Sequence, residues 1–199
     1  MKIYLIRHAA KAKGDFHNSY LRHQDEPLSD LGRQTSERLW GFFAGRVIDA
    51  IYVSEYRRTG ETIAYVAGRC GLEPVVDSRL NEIDNGLIEG LADEEIQARY
   101  PEVWRGFTER AADFRFPGGE SGEEVRERVN SFLQEKRRQH SGAAIIAVAH
   151  DGLIRLAMCH VLGLPVYRRW DFHIDFCGLV ELAAQGEAGW KLIRFNQAC

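Results

Sequence analysis

Two histidines stand at positions where an α/β fold gathers its chemistry. The apolar run Lys2-Ile3-Tyr4-Leu5-Ile6 leads straight into Arg7-His8. A second apolar run, residues 143–149, leads as directly into His150-Asp151-Gly152. In open α/β sheets, ligands bind in the crevice outside the carboxyl ends of the strands. Two imidazoles and an arginine would therefore share a pocket although 142 positions separate the histidines. A lone histidine after a strand is usually structural; a matched pair with an arginine beside the first reverses those odds. The helix start in Ser54-Glu55-Tyr56-Arg57-Arg58-Thr59 offers an arginine to the same crevice, and Leu80-Asn81-Glu82-Ile83-Asp84 offers a carboxylate. Imidazole, guanidinium and carboxyl groups around one crevice suit nucleophilic and acid–base chemistry on an anion.

The elements that must position these groups alternate along the chain. Ser29 reads as an N-cap for a helix carrying Leu31, Leu39, Trp40 and Phe43. Residues 49–54 read as a strand, and a helix follows from near Arg57 to Cys70, ended by Gly71. Residues 73–76 make a short edge strand at most. From 81 to 117 the pattern is irregular, with helical pieces near 93–100 and 101–112. Ser121 with Glu124 is a capping box before Val125, Val129, Phe132 and Leu133. A helix follows residue 151, and residues 178–183 and 190–195 form a hairpin around Gln185-Gly186-Glu187. This order predicts a three-layer α/β/α sandwich with a mostly parallel central sheet, one antiparallel edge strand and a helical insertion near the active site. The whole chain, 1–199, reads as one domain with a cap insertion at about 83–117.

Composition narrows the class. Hydrophobic residues make up 45% and charged ones 28%, a globular balance, and 26 basic against 29 acidic residues leave a net charge of −3. No global positive field points to nucleic acid; Lys136-Arg137-Arg138 reads as a solvated helix face. Cys70, Cys159, Cys177 and Cys199 contain no Cys-x-x-Cys pair and form neither a zinc pattern nor a disulfide framework, so buried thiols are expected for three of them. The N-terminal apolar run is too short for a signal-peptide core, and no stretch approaches the roughly 20 apolar residues of a membrane span. The expected compartment is the cytoplasm, with no membrane partner. Nothing in the sequence points to an oligomeric state.

Taken together, these stretches resemble the histidine phosphatase superfamily, also called phosphoglycerate mutase-like. Arg7-His8-Ala9 matches the family's Arg-His-Gly, and Leu28-Ser29-Asp30-Leu31-Gly32-Arg33-Gln34 matches its Leu-Thr-x-x-Gly-x-x-Gln helix. Ser54, Arg58 and Thr62 match Ser-x-x-x-Arg-x-x-x-Thr, which selects Arg58 over Arg57. Leu80-Asn81-Glu82 with Gly86-Leu87-Ile88-Glu89-Gly90, the turn Pro117-Gly118-Gly119-Glu120-Ser121 and Ala149-His150-Asp151-Gly152 complete the pattern in order. Ala9-Ala10-Lys11 departs from the common Gly-Glu-Thr, so contacts just after the first histidine do not carry over. Asn18, Arg22 and Gln24 lie in the following loop off the family's usual spacing.

The resemblance implies a metal-independent phosphomonoesterase that passes through a phosphohistidine on a small-molecule phosphate monoester, without a cofactor. His8 would be the nucleophile, kept neutral by Arg7 and Arg58, which with His150 would hold the phosphoryl oxygens. Glu82 would protonate the leaving alkoxide, with Asp84 a weaker competitor. Two alternatives stand beside this reading: cofactor-dependent phosphoglycerate mutase-type transfer and a non-catalytic phosphate-binding module. Ile83-Asp84-Asn85-Gly86 stands where mutases carry a His-Tyr-Gly pattern, and the chain is short for a mutase; both favour hydrolysis. The complete set of both histidines, both arginines and the glutamate disfavours a silent module. Substrate choice is assigned to the insertion, where Trp104, Phe107, Phe114 and Phe116, with Arg105, Arg110 and Arg115, either cap the pocket or pack the insertion onto the sheet. If some of these aromatics face the pocket, a substrate with a ring or apolar body beyond the phosphate is implied. Lys11, His17, Arg22 and His23 are candidates for reading further negative charge.

Overall fold

The computed structural model describes residues 1–187 and 189–198. Its strands are β1 Lys2–Arg7, β2 His17–Asn18, β3 His23–Gln24, β4 Ala50–Val53, β5 Val75–Val76, β6 Ala144–Ala149, β7 Leu179–Gln185 and β8 Gly189–Gln197. Its helices are α1 Asp30–Glu37, α2 Leu39–Phe43, α3 Arg57–Cys70, α4 Asp93–Arg99, α5 Pro101–Glu109, α6 Gly122–Gln139 and α7 Asp151–Leu162. Short 3-10 turns occupy Ser78–Leu80, Gly86–Ile88 and Val166–Asp171.

The central sheet follows from strands that are apolar on both faces. In β1, Ile3 and Leu5 point to one side with Val125, Val129, Phe132 and Leu133 of α6 and the apolar face of α7. Tyr4 and Ile6 point to the other, with Leu39, Phe43 and the Ile63–Val66–Ala67 face of α3. This period-2 alternation, buried on both sides, demands a helical layer on each face. The sheet order is β5-β4-β6-β1-β7-β8, with β5, β4, β6 and β1 parallel. β7 runs against β1, and β8 returns along β7 to close that edge as the expected hairpin. The chain leaves β1 toward α1–α3 on one face and leaves β6 into α7 on the other. The crevice opens where these connections diverge, at the carboxyl ends of β1 and β6.

Two local expectations shift. The helix after Ser29 divides into α1 and α2, and Leu31 faces solvent at 67% exposure. Gly32, Ser36, Leu39 and Phe43 take the inner face instead, at helical spacing. The reason is a close approach: a Cβ on Gly32 would lie 2.0 Å from the Ala10 carbonyl oxygen, so only glycine lets α1 abut the loop that follows His8. The edge strand shrinks to Val75–Val76, both exposed. The capping box at Ser121 forms as read, with Ser121 Oγ accepting from the Glu124 amide and Glu124 accepting from the Ser121 amide. Residues 86–116 gather their own small core around Ile88, Ile96, Val103 and Phe116. Cys159 is buried and Cys70 half-buried, while Cys199 lies outside the described residues. Among the described residues, no helix is long and apolar enough to cross a membrane.

Candidate active site

Strand register explains how two distant histidines meet. β1 and β6 pair in parallel with Arg7 opposite Ala149, and the His8 amide donates to the Ala149 carbonyl at 2.9 Å. His8 and His150 are each the next residue, on neighbouring strands roughly 4.8 Å apart. Their ring centroids lie 5.2 Å apart, edge to face.

The state of His8 is set by its surroundings. Its Nδ1 lies 2.8 Å from the Ala9 carbonyl oxygen, which can only accept, so Nδ1 carries the proton and Nε2 the lone pair. The side chain is 6% exposed. Burial lowers its pKa to about 3, against the pull of the Ala9 hydrogen bond and with help from the charges of Arg58, Arg7 and Lys11. His150 is fully buried and likewise held neutral, first by burial and then by Arg58.

The spacing Ser54, Arg58, Thr62 now has a structural meaning. Ser54 follows the end of β4, beside β6, and its Oγ meets His150 Nε2 at 2.9 Å. Arg58 and Thr62 are one helical turn apart on the same face of α3. Arg58 Nη2 donates to His150 Nδ1 at 3.3 Å, while Nη1 reaches Glu26 and the Gln24 carbonyl, both at 3.3 Å. Thr62 Oγ1 accepts from the Ala9 amide at 2.9 Å and donates to the Arg58 carbonyl at 2.7 Å, which fixes the backbone behind the nucleophilic ring. A donor-only guanidinium at His150 Nδ1 puts the proton on Nε2. That N–H donates to Ser54 Oγ, which can donate in turn to Thr59 Oγ1 at 3.0 Å.

Arg7 Nη1 donates to the Ile174 carbonyl at 2.5 Å and lies 3.9 Å from Asp151; the guanidinium stacks on Phe176 with its carbon 4.2 Å from the ring centroid. Arg58 stacks on Tyr56 at the same distance. The Nε of Arg7 and the Nε of Arg58 are both buried and have no hydrogen-bond partner among the described residues. Buried charged donors left without protein acceptors are costly, and both arginines line the pocket beside His8.

Glu82 projects from the end of the Ser78–Leu80 turn onto the first turn of α7. Its Oε1 accepts from the amides of Ile83 and Leu153, each at 3.0 Å, and its Oε2 from Gly152 at 3.3 Å. The helix start thus serves Glu82 rather than His150. Burial raises the Glu82 pKa, held back by these three amides and by Arg58. Gly152 lets the carboxyl lie against the helix start: a Cβ there would sit 2.8 Å from Oε1 and push the carboxyl aside. Arg128 of α6 fixes the segment from behind. It forks onto Glu120 at 2.8 and 2.9 Å and donates to the carbonyls of Arg79, Asn81 and Glu82.

Arg7, His8, Arg58 and Glu82 line one cavity of about 340 Å³, with His150 directly behind. Lys11, His23 and Gln24 reach it from the first loop. Lys11 is paired with Glu26 at 2.5 Å, and His23 stands between Asp84 and Glu89. Asp84 therefore serves the loop, not the His8 side of the pocket. Arg22 faces a neighbouring polar cavity, and His17 and Asn18 a separate surface hollow. Of the insertion's aromatics, Phe107 and Phe116 line a further cavity, Phe114 packs on both, and Trp104 packs into the insertion. Arg105 and Arg115 lie on the outer side, and Arg110 stacks on Trp170. Glu26, Tyr56, Arg128 and Phe176 escaped the sequence reading. No local pattern marks them; only the burial of Glu26 and the pairing of Arg128 across 46 or more positions reveal their place. Among the described residues, no three His, Cys, Asp or Glu side chains are grouped to hold a metal ion.

The comparison with known proteins agrees with this geometry. The model of the histidine phosphatase superfamily (branch 1) matches residues 3–198. Phosphoserine phosphatase 1 of Hydrogenobacter thermophilus is 32% identical over 175 residues, covering 88% of this chain and 82% of that protein. Phosphoglycerate mutase-like protein 4 of Arabidopsis thaliana is 31% identical over 157 residues, 77% of this chain and 68% of that one. A mycobacterial glucosyl-3-phosphoglycerate phosphatase, solved in complex with inorganic phosphate, superposes with a TM-score of 0.83 at 25% identity, over 99% of this chain and 97% of its own. With the motifs in order along β1, α3 and β6 and their side chains gathered at one crevice, this chain belongs to branch 1 of the histidine phosphatase superfamily, a class of phosphoric monoester hydrolases.

Proposed function

We propose that the chain hydrolyses a small phosphate monoester through a phosphohistidine on His8, with no metal in the reaction. The observation that carries this reading is the meeting, in one pocket, of a fixed tautomer with two guanidiniums that each keep one N–H without an acceptor. His8 Nδ1 is held by the Ala9 carbonyl, leaving Nε2 as the nucleophilic atom, and Arg7 Nε and Arg58 Nε lack acceptors. A phosphoryl group seated on both arginines would present its phosphorus to Nε2.

In the first step Nε2 attacks phosphorus, the N–P bond forms and the P–O bond to the alcohol breaks. Charge spread over the equatorial oxygens is met by Arg7 and Arg58. His150 Nδ1 accepts from Arg58 Nη2 at 3.3 Å and its other nitrogen is held by Ser54, so the buried ring fixes the guanidinium that meets the phosphoryl oxygens. The leaving oxygen takes a proton from Glu82. Oε2, with its single long bond to Gly152, is the oxygen free to carry it. In the second step Glu82 removes a proton from water, which attacks phosphorus and releases His8 neutral. The cationic groups supply the positive field that a metal would otherwise provide.

The test is hydrolysis of a chromogenic aryl phosphate beside an alkyl phosphate, with chelator present, in wild type, His8→Ala and Glu82→Gln. Turnover is expected in wild type only with His8 intact. Glu82→Gln should lower kcat/KM for the alkyl ester more than for the aryl one, because kcat/KM reads the transfer to His8 and a good leaving group needs little protonation there. Equal losses on both esters would remove Glu82 from the acid role. Phosphoserine and glucosyl-3-phosphoglycerate, named for the relatives, belong in the first substrate panel. Interconversion of phosphoglycerates dependent on bisphosphoglycerate would replace hydrolysis with transfer.

A further inference from the structure

The accessible space does not end at Glu82. Glu82, Ile83, Asn85 and Asp151 form a wall shared by the phosphate pocket and a second cavity of about 240 Å³. The far side of that cavity is apolar and rich in rings: Ile88, Phe107, Phe116 and Trp170. Phe107 meets Trp170 edge to face at 5.7 Å and leans on Phe116 at 5.8 Å. Two arginines complete the lining, and both are already neutralised. Arg155 forks onto Asp151 at 3.0 and 2.7 Å, and Arg169 reaches Asp113 at 3.2 Å. Both guanidiniums also lie beside Trp170, at 6.0 and 5.1 Å.

Such a surface offers ring faces and edges but no unpaired charge for a second phosphate. It favours a neutral flat or apolar body, and its flanking guanidiniums disfavour a cation. Its place in the reaction follows from in-line displacement, which sets the leaving oxygen opposite the attacking nitrogen. His8 and Glu82 line the same pocket, and the oxygen that Glu82 protonates belongs to the departing alcohol. That alcohol leaves across the Glu82 wall. A polar cavity of about 500 Å³ also touches Glu82, but it carries both signs of charge, Arg22, His23 and Arg128 beside Glu55, Asp84 and Glu120, and shares neither Ile83 nor Asp151 with the phosphate pocket. Its mixed charges suit a polar alcohol rather than an apolar one.

We propose that the Ile88–Phe107–Phe116–Trp170 cavity is the leaving-group subsite, and that the preferred substrates are monoesters of alcohols bearing a ring-sized apolar body. The assignment rests on the reading of Glu82 as the proton donor. It extends beyond the insertion to Trp170 of the Val166–Asp171 turn, so the selecting surface is built by two separate segments.

Three esters with one skeleton test it: ethyl, 2-aminoethyl and 2-phenylethyl phosphate. In wild type, kcat/KM for the phenyl ester should exceed that for the ethyl ester by about tenfold or more, since even one buried methylene discriminates by about that factor. The aminoethyl ester should fall below the ethyl ester. Phe107→Ala and Trp170→Ala should each shrink the phenyl-to-ethyl ratio several-fold, with Phe107→Leu intermediate. Because the ratio is taken within one preparation, a partly folded variant does not imitate the effect. Competition by 2-phenylethylphosphonate against ethylphosphonate reads the same preference without turnover. A phenyl-to-ethyl ratio near one, a preference for the aminoethyl ester, or ratios unmoved in both alanine variants would overturn the subsite. If ring-selective phosphonate binding occurs with no ester hydrolysed, the hydrolase reading fails and the subsite stands. Hydrolysis of all three at one rate gives the converse.

Discussion

Replacing His8 by asparagine should make the protein less sensitive to acid, and the size of the effect follows from the site. An imidazole in the unfolded chain titrates near 6.5, whereas burial beside Arg58, Arg7 and Lys11 lowers His8 to about 3. As pH falls below 6.5 the unfolded chain takes up this proton and the folded chain does not, so stability is lost. The loss stops once pH passes about 3, where the folded protein binds the proton too. Between pH 7.5 and 4.5 this one group should reduce folding stability by roughly 3 kcal/mol, at about 1.36 kcal/mol per tenfold change in proton activity below 6.5. Solvent screening is small because the side chain is 6% exposed. Asparagine keeps an N–H for the Ala9 carbonyl but does not titrate. Urea unfolding of wild type and His8→Asn at both pH values, in phosphate-free buffer so that ligand binding does not contribute, isolates the difference. Carboxylates titrate alike in both proteins and cancel. Wild type should lose roughly 3 kcal/mol more than the variant over this interval. Equal losses, within about 0.5 kcal/mol, would refute the picture of a buried neutral nucleophile.

Three further substitutions probe the support around the pocket. Gly152→Ala places a methyl group 2.8 Å from Glu82 Oε1 and should lower kcat on alkyl esters by about ten- to a hundredfold, with a smaller effect on aryl esters, as measured by paired steady-state assays. Arg128→Met removes three carbonyl contacts behind Glu82 and should shift the same alkyl-to-aryl ratio in the same direction; an unchanged ratio with uniformly lower activity would assign Arg128 to folding alone. Arg58→Lys keeps the charge but loses the fork that reaches Glu26, Gln24 and His150, so kcat/KM should fall on the order of a hundredfold and inorganic phosphate should inhibit less strongly.

Much of this architecture is legible in the sequence because its signals are local and physical. An apolar run ending in Arg7-His8 reads as a buried strand that releases a polar pair at its end. The capping box at Ser121 and Glu124 likewise forms as written. What a linear reading misses depends on register and close approach. Leu31 looks like a core residue until Gly32 is seen to need the inner face against Ala10. The first-turn amides of α7 hold Glu82, 68 positions upstream of His150, and no local pattern announces that pairing. Arg128 and Trp170 carry no motif; one is fixed by carbonyls and the other by a cavity wall.

The most direct test of the central proposal is where phosphate resides during turnover. Glu82→Gln treated with an aryl phosphate should accumulate the intermediate, because formation with a good leaving group needs little acid while hydrolysis lacks its base. Rapid quenching and peptide mass spectrometry should find an acid-labile, base-stable phosphoryl group on His8, absent in His8→Ala. Phosphate on any other residue, or continued turnover by His8→Ala, would contradict the proposal.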